Sequence, residues 1–302
     1  MKYVFILNPA AGKNKQALNM IPNIQQLCKK HGLNYQIHIS QSADDITEFV
    51  KNCCATGEDY RFYAFGGDGT LNNVINGCAY RNNAEVGVIP MGTGNDFIKN
   101  FNADEKDFFD IEKQLFSSSV SIDAISYNGK YCVNICNMGF DANTAMDMPS
   151  FKKMPLVSNK SAYYLSILYN VIKKLGRYME IYADDELLFK GDTLMCAVSN
   201  GISCGGGYYV TPKASVNDGL IDVSVVTPPS RIMLTTFLKH FSNGTQMDAP
   251  EMKKYIHFTR CKKVRVTGKK RFALVNDGEG EYLRDVEFTI EPDCLKYIVP
   301  KP

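Results

Sequence analysis

The sequence predicts an α/β domain with a mostly parallel sheet, followed by an antiparallel β-sandwich domain. In the first third of the chain, short apolar runs alternate with segments whose apolar residues recur at helical spacing, as in a parallel sheet with crossover helices. Beyond residue 123 the chain changes to many short apolar runs, which is typical of antiparallel β structure. A length of 302 residues also suits two domains.

The first domain is predicted to cover residues 1–122 and to be completed by residues 292–302, which contain a final strand. Its other strands are expected at residues 3–7, 35–39, 62–65 and 86–89. Helices are expected after the first three of these strands, because apolar residues there fall on one helical face.

Loops of small and polar residues follow these strands. Asn8 begins an Asn-Pro-Ala-Ala-Gly-Lys loop, Ser40 ends the second strand, and Gly66 follows the third. Ligands of parallel sheets bind beyond the carboxyl ends of the strands, so these loops are expected to share one crevice. Glycines let backbone approach a ligand, a helix N-terminus suits phosphate, and Lys13 could reach a phosphate.

Two glycine-bearing loops also carry an acid. Asp68 lies within Gly-Gly-Asp-Gly-Thr, and Asp96 ends Gly-Thr-Gly-Asn-Asp. A carboxylate would repel a bare phosphate, so Asp68 indicates a metal–nucleotide complex, and both acids could hold magnesium or water. The alternative is a structural turn, because no Gly-Lys-Ser/Thr follows and the last glycine of the dinucleotide fingerprint is absent.

The composition narrows the classes of protein that the chain could represent. Thirty-four basic and 32 acidic residues give a net charge of +2, so no nucleic-acid partner is indicated. The 10 cysteines lack zinc-binding spacing, and the N-terminal apolar run is too short for a signal peptide. We therefore expect reduced thiols and a cytoplasmic protein. The most apolar helix candidate, residues 161–172, is too short to span a membrane.

Taken together, the loop at Asn8, Gly-Gly-Asp-Gly-Thr at 66–70 and Gly-Thr-Gly-Asn-Asp at 92–96 resemble the soluble bacterial diacylglycerol kinase and related lipid kinase family. The central loop alone also resembles NAD kinases and phosphofructokinase-like enzymes, which share the α/β fold. The resemblance implies ATP and Mg²⁺ as cofactors. The nucleotide-binding residues that it implies are Asn8, Ser40, Gly66, Gly67, Asp68, Gly69, Thr70, Leu71, Asn72 and Thr93.

The second domain is predicted to cover residues 123–291, with Asp123 resembling a family acid that extends the Asp68–Asp96 network. Its strands are expected at 131–136, 179–182, 187–189, 194–199, 221–226, 263–266, 272–275 and 286–290. A helix over 158–178 either packs on the sheet or forms an acyl-chain wall or membrane-facing element. The basic run at 260–271 is either a solvated hairpin face or an anionic-membrane patch.

Two further sites in the second domain are implied by the resemblance. Ser215, Asp218 and Leu220 match a structural magnesium loop that follows a triple-glycine bend at 205–207, with one carboxylate and two carbonyls as ligands. The segment Asn-Asp-Gly-Glu matches the family's Asp-Gly-Glu, which makes Glu279 the base for the substrate hydroxyl. A shifted register would make Glu281 the base instead.

These assignments predict an ATP-dependent lipid kinase that converts diacylglycerol to phosphatidic acid, with Asp68, Asp96 and Glu279 as catalytic residues. The alternatives are a kinase of another alcohol, such as a sphingoid base or NAD, or a non-catalytic lipid- or nucleotide-binding protein. We expect a lipid substrate at a membrane surface, transient peripheral contact with that membrane, and a homodimer.

Overall fold

The structure, a computed structural model, describes residues 1–12, 15–154, 159–173, 175–277 and 279–300. The chain forms two compact units. The first unit contains residues 1–124 and 216–219 together with the described residues from 291 onward, and the second contains residues 125–215 and 220–290. The domain limits at 122/123 and 291/292 stay a prediction. The short excursion of 216–219 into the first unit has no counterpart in the sequence-based division.

The first unit alternates strands and helices. Its elements are β1 (Lys2–Leu7), α1 (Gln16–Asn19), α2 (Ile21–Lys30), β2 (Tyr35–Ile39), α3 (Ala43–Ala55), β3 (Tyr60–Gly66), α4 (Asp68–Cys78), β4 (Ala84–Pro90), a 3₁₀ turn (Phe97–Asn100), α5 (Glu105–Phe109), α6 (Ile111–Leu115) and the start of β5 (Ser119–Tyr127).

The second unit is richer in strands. Its elements are the end of β5, β6 (Lys130–Cys132), β7 (Ile135–Gly139), α7 (Phe140–Lys152), α8 (Asn159–Ile172), β8 (Arg177–Ala183), β9 (Glu186–Thr193), β10 (Met195–Ser199), β11 (Ser203–Cys204), β12 (Tyr208–Tyr209), β13 (Ile221–Val226), a 3₁₀ turn (Arg231–Met233), α9 (Leu234–Asn243), β14 (Ile256–Cys261), β15 (Lys263–Asn276) and β16 (Glu279–Ile298). From residue 291 onward β16 belongs to the first unit.

The sheet of the first unit is parallel, in the order β2-β1-β3-β4-β16. Leu7 pairs in register with Ile39 of β2 on one side and with Phe65 of β3 on the other, and Phe65 pairs with Ile89 of β4. The carboxyl ends of four strands therefore reach the same edge. The predicted strands and the mostly parallel sheet are confirmed.

The central strands β1, β3 and β4 are nearly continuous apolar runs that are buried along most of their length, as in a parallel sheet covered on both faces. One face forms a core with helices α1, α2 and α6. The buried residues of this core include Phe5, Leu7, Ala17, Ile24, Cys28, Tyr63, Phe65, Ile89, Ile111 and Leu115. The sheet edge that carries the loops is thus held by a rigid, buried scaffold.

The second unit is an antiparallel sandwich that encloses an apolar core, as predicted. Its central strand is β15, which pairs along its length with β16, through its first half with β8, and through its last residues with β7. A register shift between Thr267 and Phe272 lets one 14-residue strand serve both neighbours. The two short strands predicted at 263–266 and 272–275 are therefore one strand.

Several other elements differ from the predictions for the second unit. The helix predicted over 158–178 is α8, which ends at Ile172, and Tyr178 lies in β8; Ser158 is outside the described residues. The strand predicted at 131–136 is divided into β6 and β7. The predictions also lacked α7, α9 and β14. No helix in the described part of the chain is long and apolar enough to cross a membrane.

Candidate functional site

A cleft of ≈ 520 Å³ opens at the carboxyl edge of the parallel sheet in the first unit. This volume is typical of small-molecule sites. Three strand-to-helix connections form it, those after β1, β2 and β3. The residues that line the cleft are Asn8, Pro9, Ala10, Ser40, Gln41, Ser42, Ala43, Ile46, Gly67, Gly69, Thr70 and Asn73.

Asn8 ties the first and third of these loops together. Its Nδ2 donates to Thr70 Oγ1 at 3.0 Å, while its Oδ1 accepts the backbone N–H of Ala10 at 2.9 Å. One amide side chain thus fixes both its own turn and the start of α4. We conclude that Asn8 shapes the cleft wall through its side chain.

The N-terminus of α4 faces the cleft, because Gly67, Gly69 and Thr70 are among its lining residues. The first N–H groups of a helix have no partner within the helix, and the helix dipole places partial positive charge there. These groups suit the phosphates of a nucleotide. Lys13, the cation predicted to reach a phosphate, lies outside the described residues.

The two glycine-bearing loops touch through their backbones. A Cβ atom placed on Gly67 would lie 2.9 Å from Gly92 Cα, and one placed on Gly92 would lie 2.6 Å from Gly67 Cα. The Met91 N–H donates to Gly66 O at 2.8 Å beside this contact, and Asn95 Oδ1 accepts the Gly92 N–H at 2.9 Å. The approach is possible only because neither glycine has a side chain.

Asp68 is the first residue of α4 and points toward the second loop. Its Oδ1 accepts the backbone N–H of Phe97 at 3.1 Å. Burial raises the pKa of Asp68, an effect that the Phe97 hydrogen bond opposes and that nearby Asp96 reinforces. The two acids are therefore electrostatic neighbours, as the predicted shared network requires.

Asp96 is almost fully buried, and its Oδ1 pairs with Lys99 Nζ at 2.6 Å. Lys99 lies in the 3₁₀ turn that follows the loop, and its Nζ also approaches Gly94 O at 3.4 Å. The predictions did not include Lys99. It places a cation next to Asp96 and anchors the second loop.

Several of the other predicted nucleotide-binding residues do not line the cleft with their side chains. Ser40 is buried, and its Oγ donates to Leu7 O at 3.3 Å, so it joins the ends of β2 and β1. The Leu71 and Asn72 side chains are buried within α4 and do not line the cleft. Thr93 is exposed and, like Gly66 and Asp68, is not among the residues that line the cleft.

The cleft wall after β2 was largely missed from sequence. Asp45 Oδ2 accepts the Gln41 N–H at 2.9 Å and contacts His38 Nε2 at 2.9 Å, and Ser42 Oγ caps α3 by accepting the Asp45 N–H. The signal available in the sequence was Ser42, three residues before Asp45, as in a helix N-cap. Hydrogen bonding from Gln41 holds the pKa of Asp45 below its usual value.

Asp123 supports the loop that contains one of the predicted metal ligands. Its Oδ2 accepts the Gly219 N–H at 2.7 Å, its Oδ1 accepts the Asp293 N–H at 2.9 Å, and its own N–H donates to Val216 O. All these residues belong to the first unit. Asp123 therefore organises the 216–219 segment and the start of the last strand segment.

The predicted magnesium ligands have oxygen donors of the kind that hard cations prefer. Asp218 is exposed and precedes Gly219, whose φ of +71° permits a tight turn, while Ser215 and Leu220 are half-buried. No group of three or more His, Cys, Asp or Glu side chains suited to a metal occurs in the ranges that the structure describes. A cation here would depend on backbone carbonyls and water.

The predicted base lies at a hairpin tip in the second unit. Glu279 is exposed and opposite Asn276 at the start of β16, and Asp277 between them has a φ of +44°. Gly278 lies outside the described residues. Asp277 Oδ2 accepts a hydrogen bond from Cys132 Sγ at 3.6 Å, and Asn276 Nδ2 donates to Tyr131 O. Strand β6 thus tethers the tip.

The alternative base, Glu281, is engaged elsewhere. Its Oε1 forms an ion pair with Lys130 Nζ at 2.9 Å. Glu279 forms no ion pair with the residues that the structure describes, and it is the more exposed of the two. Glu279 is thus the more available carboxylate of the two.

Four of the seven cations in the basic run at 260–271 contact a carboxylate or an aromatic ring. Arg260 contacts Asp222 at 3.3 Å, and Lys263 contacts Glu287 at 3.0 Å. Arg265 and Lys269 lie over the rings of tyrosines in β8. These contacts favour the interpretation of the run as a hairpin face.

Comparison with known proteins finds a family match for each half of the chain. Residues 2–126 match the diacylglycerol kinase catalytic domain, and residues 134–299 match the YegS C-terminal NAD kinase beta sandwich-like domain. A diacylglycerol kinase of Bacillus subtilis is 27% identical over 298 residues, which cover 98% of this chain and 95% of that protein.

Two further comparisons extend this result. A protein of Pectobacterium atrosepticum named "Probable lipid kinase YegS-like" is also 27% identical, over 80% of this chain and 79% of its own length. A crystal structure of a diacylglycerol kinase from Bacillus anthracis aligns with a TM-score of 0.70 and 17% identity, covering 100% of this chain and 97% of the other. That structural likeness supports the fold.

The two family models together cover most of the chain, in the same order as the two units. The predicted resemblance is confirmed, as is, at the level of the family, the predicted enzyme class. This chain belongs to the diacylglycerol kinase and YegS-like lipid kinase family.

Proposed function

We propose that this protein transfers the γ-phosphoryl group of ATP to the primary hydroxyl of diacylglycerol, giving phosphatidic acid. The observation that carries the proposal is the cleft at the N-terminus of α4, whose lining residues all lie within the part of the chain that matches the catalytic domain of the family. Phosphoryl transfer requires positioned phosphates, charge neutralisation and an oriented nucleophile, and little covalent chemistry from the protein.

In this proposal the cleft binds the phosphates of ATP. Gly67, Gly69 and Thr70 present backbone N–H groups at the start of α4, and Asn8 holds Thr70 in place. The absence of side chains on the two glycines lets the phosphates approach the backbone closely. The remaining predicted nucleotide-binding residues would act through their backbone or by supporting these loops.

The carboxylates of Asp68 and Asp96 fit a role beside magnesium, because hard cations prefer oxygen ligands. When bound, magnesium would neutralise charge on the phosphates. Lys99 keeps Asp96 oriented, and the Phe97 N–H orients Asp68. The proposed structural magnesium loop, with Ser215, Asp218 and Leu220, is a separate site that would stabilise the protein.

Glu279 is the proposed base that accepts the proton of the substrate hydroxyl. An exposed carboxylate at a tethered hairpin tip can meet a substrate without first breaking an ion pair. Glu281 would have to leave Lys130 to do the same. A general base of this kind typically contributes a factor of about 10²–10⁴ to the rate.

The acceptor is the least constrained part of the proposal. The Bacillus subtilis relative is named for diacylglycerol, whereas the Pectobacterium relative, at the same identity, is named only as a lipid kinase. Another lipid alcohol is therefore the second candidate acceptor. Cytoplasmic location, transient membrane contact and a homodimer stay predictions.

The test is transfer of labelled phosphate from ATP with magnesium into detergent-dispersed diacylglycerol. Monoacylglycerol, sphingosine and NAD serve as parallel acceptors. Labelled phosphatidic acid is the expected product. Label in another lipid would keep the reaction and change the acceptor, whereas ATP binding without transfer to any lipid would contradict the proposal.

A further inference from the structure

One wall of the cleft is the segment that joins β2 to α3. Gln41, Ser42, Ala43 and Ile46 line the cleft from this side, and they are called here the β2–α3 wall. The first three of these residues are exposed, so little packing holds them in place. Surface loops of this kind are mobile unless hydrogen bonds fix them. The shape of the wall therefore depends on its hydrogen bonds.

Asp45 supplies the hydrogen bonds that tie the β2–α3 wall to the helix. Its Oδ2 accepts the Gln41 N–H at 2.9 Å, and its own N–H donates to Ser42 Oγ at 3.1 Å. In a usual capping box, the third residue of the helix accepts the N–H of the N-cap residue itself. Here it accepts the N–H of the residue before the N-cap. The bond therefore reaches one residue further into the wall.

Asp45 is itself held from the strand side. Its Oδ2 lies 2.9 Å from Nε2 of His38, a residue of β2, and the His38 ring stacks on the Phe49 ring of α3 with centroids 3.9 Å apart. The Gln41 hydrogen bond, opposed by desolvation and aided by His38, lowers the pKa of Asp45. An ionised carboxylate only accepts hydrogen bonds, so His38 Nε2 is the donor.

A binding wall that is already fixed favours ligand binding. A loop that is ordered before the ligand arrives loses little conformational freedom on binding, so more of the contact energy appears as affinity. Asp45 does not line the cleft, whereas Gln41 does. Any effect of the Asp45 carboxylate on a ligand therefore acts through the wall that it holds.

We propose that Asp45 is a positioning residue for nucleotide binding, because it holds the β2–α3 wall in the shape that contacts ATP. The inference rests on the proposed function, in which ATP is the ligand of the cleft. It assigns a role to a side chain that touches neither the phosphates nor the lipid acceptor. His38 has the supporting role of orienting the Asp45 carboxylate.

The test is titration calorimetry of the full chain with ATP and magnesium. Asp45→Ala should bind ATP about tenfold more weakly, because the Gln41 N–H loses a charged acceptor and the wall must be ordered during binding. The matched control is Asp44→Ala, which removes an exposed acid from the same first turn of α3. This control should bind ATP within about twofold of the unchanged protein, since Asp44 does not hold Gln41.

A second pair of variants nearly preserves side-chain shape. Asp45→Asn keeps an oxygen that can accept the Gln41 N–H, but a neutral acceptor binds it more weakly than a carboxylate does. We expect about threefold weaker ATP binding in Asp45→Asn and no change in Asp44→Asn. This pair keeps the inference testable if Asp45→Ala fails to fold.

Kinetics separate a positioning role from general destabilisation. In Asp45→Ala the KM for ATP should rise about tenfold, while kcat at saturating ATP stays within about twofold. A partly unfolded variant would instead lose kcat without a change in KM. Hydrogen–deuterium exchange over residues 40–46 should also be faster in Asp45→Ala than in Asp44→Ala, because the Gln41 N–H is released.

Equal ATP affinity in Asp45→Ala and the unchanged protein would overturn the inference. Equal losses in Asp44→Ala and Asp45→Ala would also overturn it, because they would assign the effect to charge at the helix terminus. Calorimetry does not require turnover. If the unchanged protein binds ATP but phosphorylates no lipid, the proposed function fails, while the ATP affinities of the variants still decide the role of Asp45.

Discussion

Helices α4 and α7 begin alike and end up in different roles. Each has a glycine as its N-cap, Gly67 or Gly139, and each carries an acid in its first turn, Asp68 or Asp141. Asp68 accepts a hydrogen bond from the loop after β4 and lies beside a cleft. Asp141 Oδ1 is shielded from solvent and has no hydrogen-bond partner among the residues that the structure describes.

The comparison shows that a strand, a glycine and an acid are not sufficient to make a site. Around α4, parallel strands bring several loops to one edge, and the second glycine loop supplies a partner for the acid. Around α7 the neighbouring strands are antiparallel, and burial raises the pKa of Asp141 to about 7. The surroundings of the turn therefore decide its chemistry.

The largest effect is expected from Glu279→Gln. This variant tests whether the acid that the second unit contributes to catalysis is Glu279 at the hairpin tip or Asp141 in α7. Turnover should fall by about 10³, because the general base is lost, while ATP binding is retained. Steady-state kinetics with ATP and dispersed lipid give both values. Glu281→Gln is the matched control and should change turnover only a few-fold; the reverse order would assign the base to Glu281.

The next largest effect is expected from a direct comparison of Asp68 in α4 with Asp141 in α7. Asp68→Asn should lower turnover by roughly 10², because an electrostatic group beside the phosphates is lost. Asp141→Asn should leave turnover within about twofold, since nothing places it near the phosphates. Both variants are measured in the same transfer assay. Equal losses in the two variants would remove the distinction drawn between α4 and α7.

Gly92→Ala tests the contact between the two glycine-bearing loops of the first unit. The new Cβ would lie 2.6 Å from Gly67 Cα, so the loops must separate. We expect the free energy of unfolding to fall by about 1–3 kcal/mol and ATP binding to be lost. Urea unfolding measures the free energy of unfolding, and titration calorimetry measures ATP binding.

The control for this variant is Gly32→Ala, where φ is +60° and a Cβ would have open space. It should cost only about 1 kcal/mol of backbone strain and leave ATP binding intact. Retained ATP binding in Gly92→Ala would show that contact between the two loops is not needed for the cleft.

The last prediction concerns the pH dependence of stability. The pKa of Asp141 is about 7 in the folded protein and near 3.8 in the unfolded chain. Below pH 4 Asp141 is neutral in both states and does not oppose folding. As the pH rises from about 4 through 7, the unfolded chain loses this proton first, so the free energy of unfolding falls. Asp141→Asn should raise the free energy of unfolding by about 1–4 kcal/mol at pH 8 and by little at pH 4. Thermal unfolding at both pH values measures this, and an equal shift at both would contradict it.

Strands β1, β3 and β4 were predictable because they are short apolar runs, and β2 because its residues alternate. The first three strands also end at an Asn-Pro pair, a small polar residue and a glycine, respectively. The loops of the cleft were predictable for the same reason. The Gly67–Gly92 contact was not predictable, because it depends on how two loops distant in sequence pack. Lys99 lies only three residues after Asp96 and was missed because their ion pair depends on the 3₁₀ turn that follows the loop. Gln41 and Ser42 were missed because their role depends on the cap of α3.

The second unit was predicted less well. Helix α7 has no one-sided apolar stripe and contains Pro149, so periodicity gave no signal. The segment after Thr267 contains Gly268 and basic residues, which resemble a turn, whereas it is a bulge within β15. The end of α8 was misplaced because Leu175 and Tyr178 continue an apolar pattern across the start of β8.

The path of the chain through the two units has a consequence for protein synthesis. The first unit includes residues 216–219 and the end of β16, although its other elements lie before residue 125. During synthesis on the ribosome, four of the five strands of this sheet are made early, but the β4 edge stays unpaired until the end of β16 has emerged. The second unit, whose residues end at 290, has all of its strands available earlier. The unit translated first is thus the one completed last, and its exposed strand edge is the point at which a nascent chain would need protection from aggregation.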